Sequence, residues 1–212
     1  MRARFFLAVL AMAIVVVSSN FLVQFPVQGM LGPVDLSQIL TWGAFTYPVA
    51  FLVNDLTNRH FGPRSARMVV LVGFAIAVVW SAYVASPRIA IASGSAFLLA
   101  QLLDTSIFDG LRRSQWWRAP LISSLIGSVI DTILFFGVAF SATFGFVDQL
   151  FGSPDGSLGF AVPFLSVGGE VPLWVSLAAG DFIVKMLVAL VLLVPYGALR
   201  RMISDRAVGQ AA

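Results

Sequence analysis

Apolar residues collect along this chain in six long runs, at about 5–23, 36–53, 66–85, 90–111, 121–144 and 173–193, divided by short polar stretches. None shows the period-two alternation of a half-buried strand, and each is longer than strands usually are. A helix needs about 20 apolar residues to cross a bilayer, and only helices and closed barrels satisfy all their backbone polar groups there. The pattern predicts an all-α integral membrane protein, a bundle of six transmembrane helices. Arg2 and Arg4 precede the first run, and the polar stretch from Asn54 to His60 ends the second and opens a loop. Ser86-Pro87 ends the third, and Arg112, Arg113 and Arg118 close the fourth, with Trp116 and Trp117 as interfacial anchors. A Gly/Pro-rich loop over 145–172 precedes the sixth. The first run also has the outline of a secretory signal peptide, with two arginines, an apolar core and the small Ser18-Ser19. Asn20 and the continuing Phe21-Leu22-Val23 favour a retained helix.

Composition narrows the class. Of 212 residues 59% are hydrophobic and 11% charged, against about a quarter charged in soluble domains. Disorder and a disulfide scaffold are excluded, and the absence of cysteine removes thiolate catalysis and Cys-ligated metal. Six crossings and their connections use nearly the whole chain, so 1–212 reads as a single membrane domain.

Charge placement sets orientation. Eleven of the thirteen cations fall in the two ends and in the connections after the second and fourth runs. The opposite side has only Arg88, and Lys185 lies inside the sixth run. By the positive-inside rule both termini are cytoplasmic, which needs an even number of crossings. A net charge of +3 gives no reason to expect direct nucleic-acid binding.

Charged residues at the bilayer centre cost roughly 2.5–3.5 kcal/mol each and usually face a bundle interior or a water-filled path. Here they are Asp104, Asp131, Asp181 and Lys185, joined by the amide Gln101. Asp181 and Lys185 are four apart and share a helix face, either as a self-neutralising structural pair or as part of a site. Gln101 and Asp104 share a face at spacing three. Ser124, Ser128, Asp131 and Thr132 make a small polar stripe that permits close helix approach and can present hydroxyls to a cavity. Asn20, near the outer end of the first run, is a further candidate. The sole histidine, His60, stands beside Arg59 in the expected loop. No nucleophile elbow, zincin pair or Walker motif is present, and no metal or cofactor is expected.

Several stretches read together resemble the queuosine-precursor transporter family, also called the vitamin-uptake-transporter (VUT) family. They are Ser18-Ser19-Asn20-Phe21-Leu22-Val23-Gln24, Thr41-Trp42-Gly43-Ala44-Phe45, and Asp55-Leu56-Thr57-Asn58-Arg59 with Phe61-Gly62 and Ala66-Arg67. Gln101-Leu102-Leu103-Asp104 with Phe108, Leu111-Arg112 and Trp116-Trp117 follow. Asp131-Thr132 with Phe135-Phe136 and Ala139-Phe140, then Asp181-Phe182 with Lys185, complete the set. The motifs run in order from about 18 to 197 and look most like the proteobacterial inner-membrane branch that imports 7-cyano-7-deazaguanine (preQ0). The resemblance implies a six-helix importer, multi-pass in the bacterial inner membrane. It also implies a fold similar to the substrate-binding components of energy-coupling-factor (ECF) vitamin transporters. The substrate it implies is a small deazapurine, with Asn20, Trp42, Phe45, Gln101, Asp104, Asp131, Thr132, Asp181 and Lys185 as candidate contacts. Asp55, Asn58 and Arg59 become a cytoplasmic gate or structural loop.

The chemistry is compatible. A deazaguanine offers N1–H and an exocyclic amine on one edge, which one carboxylate can accept together. Its flat ring suits an aromatic platform, for which Trp42, Phe45, Phe135 and Phe136 are available. An independent carrier, a component of an ATP-driven ECF importer, and a membrane enzyme using Asp104 and Asp131 as a carboxylate pair remain alternatives. So does a homodimer or an energising partner. The cation split makes one direct prediction. Topology reporters fused at Gly156 and at the C-terminus are expected to report opposite sides, periplasmic and cytoplasmic respectively. The same side at both would contradict the six-crossing arrangement.

Overall fold

The computed structural model describes residues 2–209. Five of its helices are long and apolar enough to cross a membrane. α1 (Arg2–Leu22) is followed by the short hairpin strands β1 (Met30–Leu31) and β2 (Val34–Asp35) and by one helical turn, α2 (Gly43–Thr46). Then come α3 (Pro48–Phe61), α4 (Pro63–Val84), α5 (Pro87–Leu111) and α6 (Arg118–Phe140). The short α7 (Gly145–Leu150) and the antiparallel strands β3 (Ala161–Pro163) and β4 (Glu170–Pro172) lead into α8 (Leu173–Gly209).

Proline sets three of the starts. Pro48, Pro63 and Pro87 occupy the first helical position, where the missing N–H costs nothing and φ is already helical. Gly62, at φ 86°, turns the chain between α3 and α4 in a conformation that side chains avoid. Ser86 caps α5 by accepting the Ile89 N–H at 3.3 Å.

The second apolar run departs from the expected continuous helix over 36–53. Its first part is a 3-10 turn, an extended piece and α2, and regular helix begins only at Pro48. Tyr47, the residue before Pro48, keeps helical backbone at φ −57° and ψ −39°, so the irregular backbone lies upstream of α2, and at Pro48 only the missing N–H interrupts the helix. The broken segment packs on α8 at Gly180, where a Cβ would stand 2.3 Å from the Ile39 carbonyl oxygen. Only glycine allows that approach.

The polar stretch from Asn54 to His60 is also not a loop. It continues α3, and α3 packs against α1, α4, α5, α6 and α8. The shortest of the main helices is therefore the central one. Asn54, Asp55, Thr57 and Asn58 are all buried, because the surrounding helices and not water cover them. An apolar cluster of Met12, Val16, Ala50, Val69, Val70, Ala77 and Phe97 joins α1, α3, α4 and α5 on one flank. The expected loop over 145–172 contains α7 and the β3–β4 hairpin, and Arg88 pins it to the bundle. Arg88 is 1% exposed and pairs with Asp148 at 2.7 Å. It also donates to the carbonyls of Val138 and Ser141 and to the Ser157 hydroxyl.

Candidate functional site

A cavity of about 420 Å³ opens at the end of the bundle where α1 and α4 finish and α5 and α8 begin. Its size lies in the range of small-molecule sites, about 300–1,000 Å³. One wall is α6, which presents Asp131, Phe135, Phe136 and Phe140 to it. The three phenylalanines form an edge-on cluster with centroids 5.1–5.9 Å apart. The opposite wall is polar, with Ser19, Asn20 and Gln24 from α1 and its exit, Ser81 from α4, and Ser86 and Ser93. Asn20 Oδ1 accepts from the Ser93 hydroxyl at 3.1 Å, which ties α1 to α5 across the cavity.

The charged residues sit at the inner end. Lys185 Nζ donates to Asp131 Oδ2 at 2.7 Å and lies 2.5 Å from Asp181 Oδ2. It lies 5.0 Å above the Tyr47 ring, and the Tyr47 hydroxyl donates to Asp131 Oδ1 at 2.7 Å. Thr132 donates to Asp181 Oδ2 at 3.2 Å. Lys185 therefore serves two carboxylates at once, and the expected Asp181–Lys185 pair is one edge of a trio that joins α6 to α8. Through Tyr47 the trio also reaches the junction of α2 and α3. Both oxygens of Asp131 are engaged. Asp181 lines the cavity with a side chain 13% exposed, and its Oδ1 makes no hydrogen bond among the described residues. Of the two carboxylates, Asp181 is the one with acceptor capacity to offer a ligand.

Asp104 and Gln101 are elsewhere. Both are fully buried and absent from the cavity wall. Asp104 Oδ2 accepts from Asn54 Nδ2 at 2.9 Å, in a network with Thr105. Asp104 and Asp131, both candidate substrate contacts and a carboxylate pair in the enzyme alternative, thus fall in two separate polar layers, because α5 and α6 contribute each residue at a different depth. Trp42 and Phe45 stack on each other at 5.7 Å, are 49% and 38% exposed, and do not line the cavity. They stand three residues apart on the outward side of α2, which leaves Thr41, Gly43 and Ala44 facing in. Asp55, Asn58 and Arg59 lie on α3. Arg59 donates to the Tyr196 hydroxyl and the Arg112 carbonyl, at 3.2 and 2.6 Å. Arg112 returns bonds to the carbonyls of Asn58 and Arg59, so this end of α3 is laced to α5 and α8.

Sequence reasoning missed Tyr47, Phe140 and the serines of the polar wall. Tyr47 carried a signal, since a phenol within an apolar run needs a partner for its hydroxyl.

Membrane-crossing helices around a ligand-sized cavity with ionised groups at its floor define a multi-pass membrane protein with a small-molecule site. The chain belongs to the vitamin-uptake-transporter family: the family model described as "Putative vitamin uptake transporter" matches residues 41–86 and 80–199. It is 34% identical over 217 residues to the "Queuosine precursor transporter" of Escherichia coli (strain K12), covering 91% of this chain and 85% of that one. It is 32% identical to the "Probable queuosine precursor transporter" of Haemophilus influenzae, covering 86% and 80% of the two chains. A Bacillus subtilis protein of the same description is 25% identical over 47% of this chain. No solved structure matches significantly.

The trio makes a stability prediction. Lys185→Met leaves two buried carboxylates without their cation and is expected to cost about 3–5 kcal/mol. Asp181→Asn keeps the 2.7 Å Lys185–Asp131 contact and is expected to stay near wild type. Folded protein remaining after heating, read by size exclusion in detergent, checks the pair. Equal stability of the two variants would contradict the trio.

Proposed function

We propose that this protein is a carrier, not an enzyme, and imports a queuosine precursor, most specifically 7-cyano-7-deazaguanine, across the bacterial inner membrane. The observation that carries the reading is the unengaged Asp181 Oδ1 at the floor of a cavity walled by Phe135, Phe136 and Phe140. A carboxylate there can accept the N1–H and exocyclic amine of a deazaguanine, with the weak 3.2 Å Thr132 bond giving way as the ring edge arrives. The phenylalanines supply faces and edges for the flat bicycle. The amide groups of Asn20 and Gln24 offer donors to its carbonyl and nitrile. The names of the relatives support the substrate class.

In this reading the broken segment 36–47 and α3 together make the second of six crossings. α3 alone, at 14 residues, spans only about 21 Å of a hydrocarbon core about 30 Å thick. Both termini are cytoplasmic, and the cavity opens to the outside. Asp181 binds substrate, Lys185 and Asp131 hold it in place, and Tyr47 orients Asp131.

The test uses cells unable to make the precursor, fed 7-cyano-7-deazaguanine, with tRNA queuosine as readout. Asp181→Asn is expected to lower uptake at least tenfold at normal folded levels. Losing a hydrogen bond to a charged group costs about 1.5–3 kcal/mol, and tenfold needs about 1.4. Trp42→Ala, outside the cavity, is expected to transport normally. Wild-type uptake by Asp181→Asn would overturn the reading.

A further inference from the structure

A second polar layer lies deeper in the bundle than the cavity and takes no part in the site above. Asp55 on α3 and Asp104 on α5 are 2% and 0% exposed, and neither forms an ion pair among the described residues. The Ser123 hydroxyl stands 3.5 Å from Asp55 Oδ1, Asn54 Nδ2 donates to Asp104 Oδ2 at 2.9 Å, and the two carboxyl groups are near neighbours. Two adjacent buried carboxylates are costly to keep charged together, and Arg59, one turn beyond Asp55, forms no ion pair with either among the described residues. One proton shared by the pair relieves that cost.

A second observation falls on the same layer. Seven buried side-chain polar atoms among the described residues lack a hydrogen-bond partner, and five belong here. They are Asp104 Oδ1, both amide atoms of Gln101, Asn58 Oδ1 and Arg59 Nη2. Gln101 is fully buried and stands one helical turn from Asp104 on the same face of α5. A purely structural network would satisfy such groups.

Hydroxyl groups on α6 point the way from the layer toward the cavity floor. Asp55 lies eight residues beyond Tyr47, and Ser123 eight before Asp131, about 12 Å along each helix. A void of about 20 Å³, enough for one water, lies between, lined by Asp55, Ser124, Ser128 and Tyr196. Ser124, Ser128 and Thr132 follow one face of α6 and lead from Asp55 to the Lys185 trio.

We propose that Asp55 and Asp104 form a proton-binding site, holding one shared proton, that couples substrate movement to the proton gradient. The coupling half rests on the carrier function proposed above; the proton-binding half does not. The groups that set the site's charge are Arg59 from α3, Asp109 and Arg112 at the end of α5, and Tyr196 from α8. The face of α6 contributes only the hydroxyls of Ser123 and Ser124. An asparagine at either position donates an N–H where the acid would donate its O–H, so Asp55→Asn and Asp104→Asn mimic the protonated state and should fold.

The first test is an infrared pH titration of the purified protein. Wild type is expected to show one buried carboxylic-acid C=O stretch that disappears as pH rises and shifts in D2O. The band should be lost in Asp104→Asn and in Asp55→Asn. It should remain in Asp181→Asn and in His60→Gln, which removes the only histidine. Its absence from wild type, its survival in both pair variants, or its displacement by sodium at constant pH overturns the proton site.

The second test uses proteoliposomes and labelled 7-cyano-7-deazaguanine. Asp104→Asn is expected to lose at least tenfold in pH-gradient-driven accumulation while retaining exchange across equilibrated membranes. Gradient-driven accumulation at the wild-type level overturns the coupling. A wild-type protein that titrates as expected but moves no precursor contradicts the proposed substrate and leaves the proton site standing.

Discussion

The position of Lys185 between Asp131 and Asp181 is the interaction on which the site depends. A lone ammonium inside a bilayer is costly, and so is a lone carboxylate. Two carboxylates each within 2.7 Å of one lysine, with a tyrosine and a threonine hydroxyl attached, lower that cost for all three. Because the groups come from α6, α8 and the junction before α3, satisfying them also fixes how those elements meet. The result is a floor with one excess negative charge at the end of an otherwise aromatic and hydroxyl-lined cavity.

α3 follows from the same constraint. In a membrane the costly surface is the one facing lipid, so a helix carrying Asn54, Asp55, Thr57 and Asn58 has to be enclosed by others. It is covered by α1, α4, α5, α6 and α8, which carry the apolar faces. The exposed side chains of α1, such as Phe6, Leu7, Leu10 and Ile14, are suited to lipid. Enclosure then allows two polar layers, one open to the cavity and one sealed.

Much of this was legible in the residues. The long apolar runs give five of the helices, and the ordered motifs give the family. Asp181 and Lys185 could be placed on one face from spacing alone. The central helix was not legible, because hydropathy records whether a segment is apolar and not whether its neighbours shield it. The stretch from Asn54 to His60 therefore resembled a loop. Depth was equally hidden. Asp104 and Asp131 both fall well inside their runs, but one faces α3 in the sealed layer and the other faces α8 at the cavity floor. Trp42 and Phe45 were credited with stacking because they are aromatic and near the cavity in sequence. They lie on the outward side of α2, and Phe140 stands with Phe135 and Phe136 in the wall instead.

The central claim is that the carboxylate at the cavity floor reads the hydrogen-bonding edge of a deazaguanine. The direct measurement is calorimetric binding of 7-cyano-7-deazaguanine and of its analogue lacking the exocyclic amine to the purified protein. The account predicts that wild type prefers the complete base at least tenfold and that Asp181→Asn binds both with similar, weak affinity. Equal affinities for the two bases in wild type, or an undiminished preference in Asp181→Asn, would contradict it.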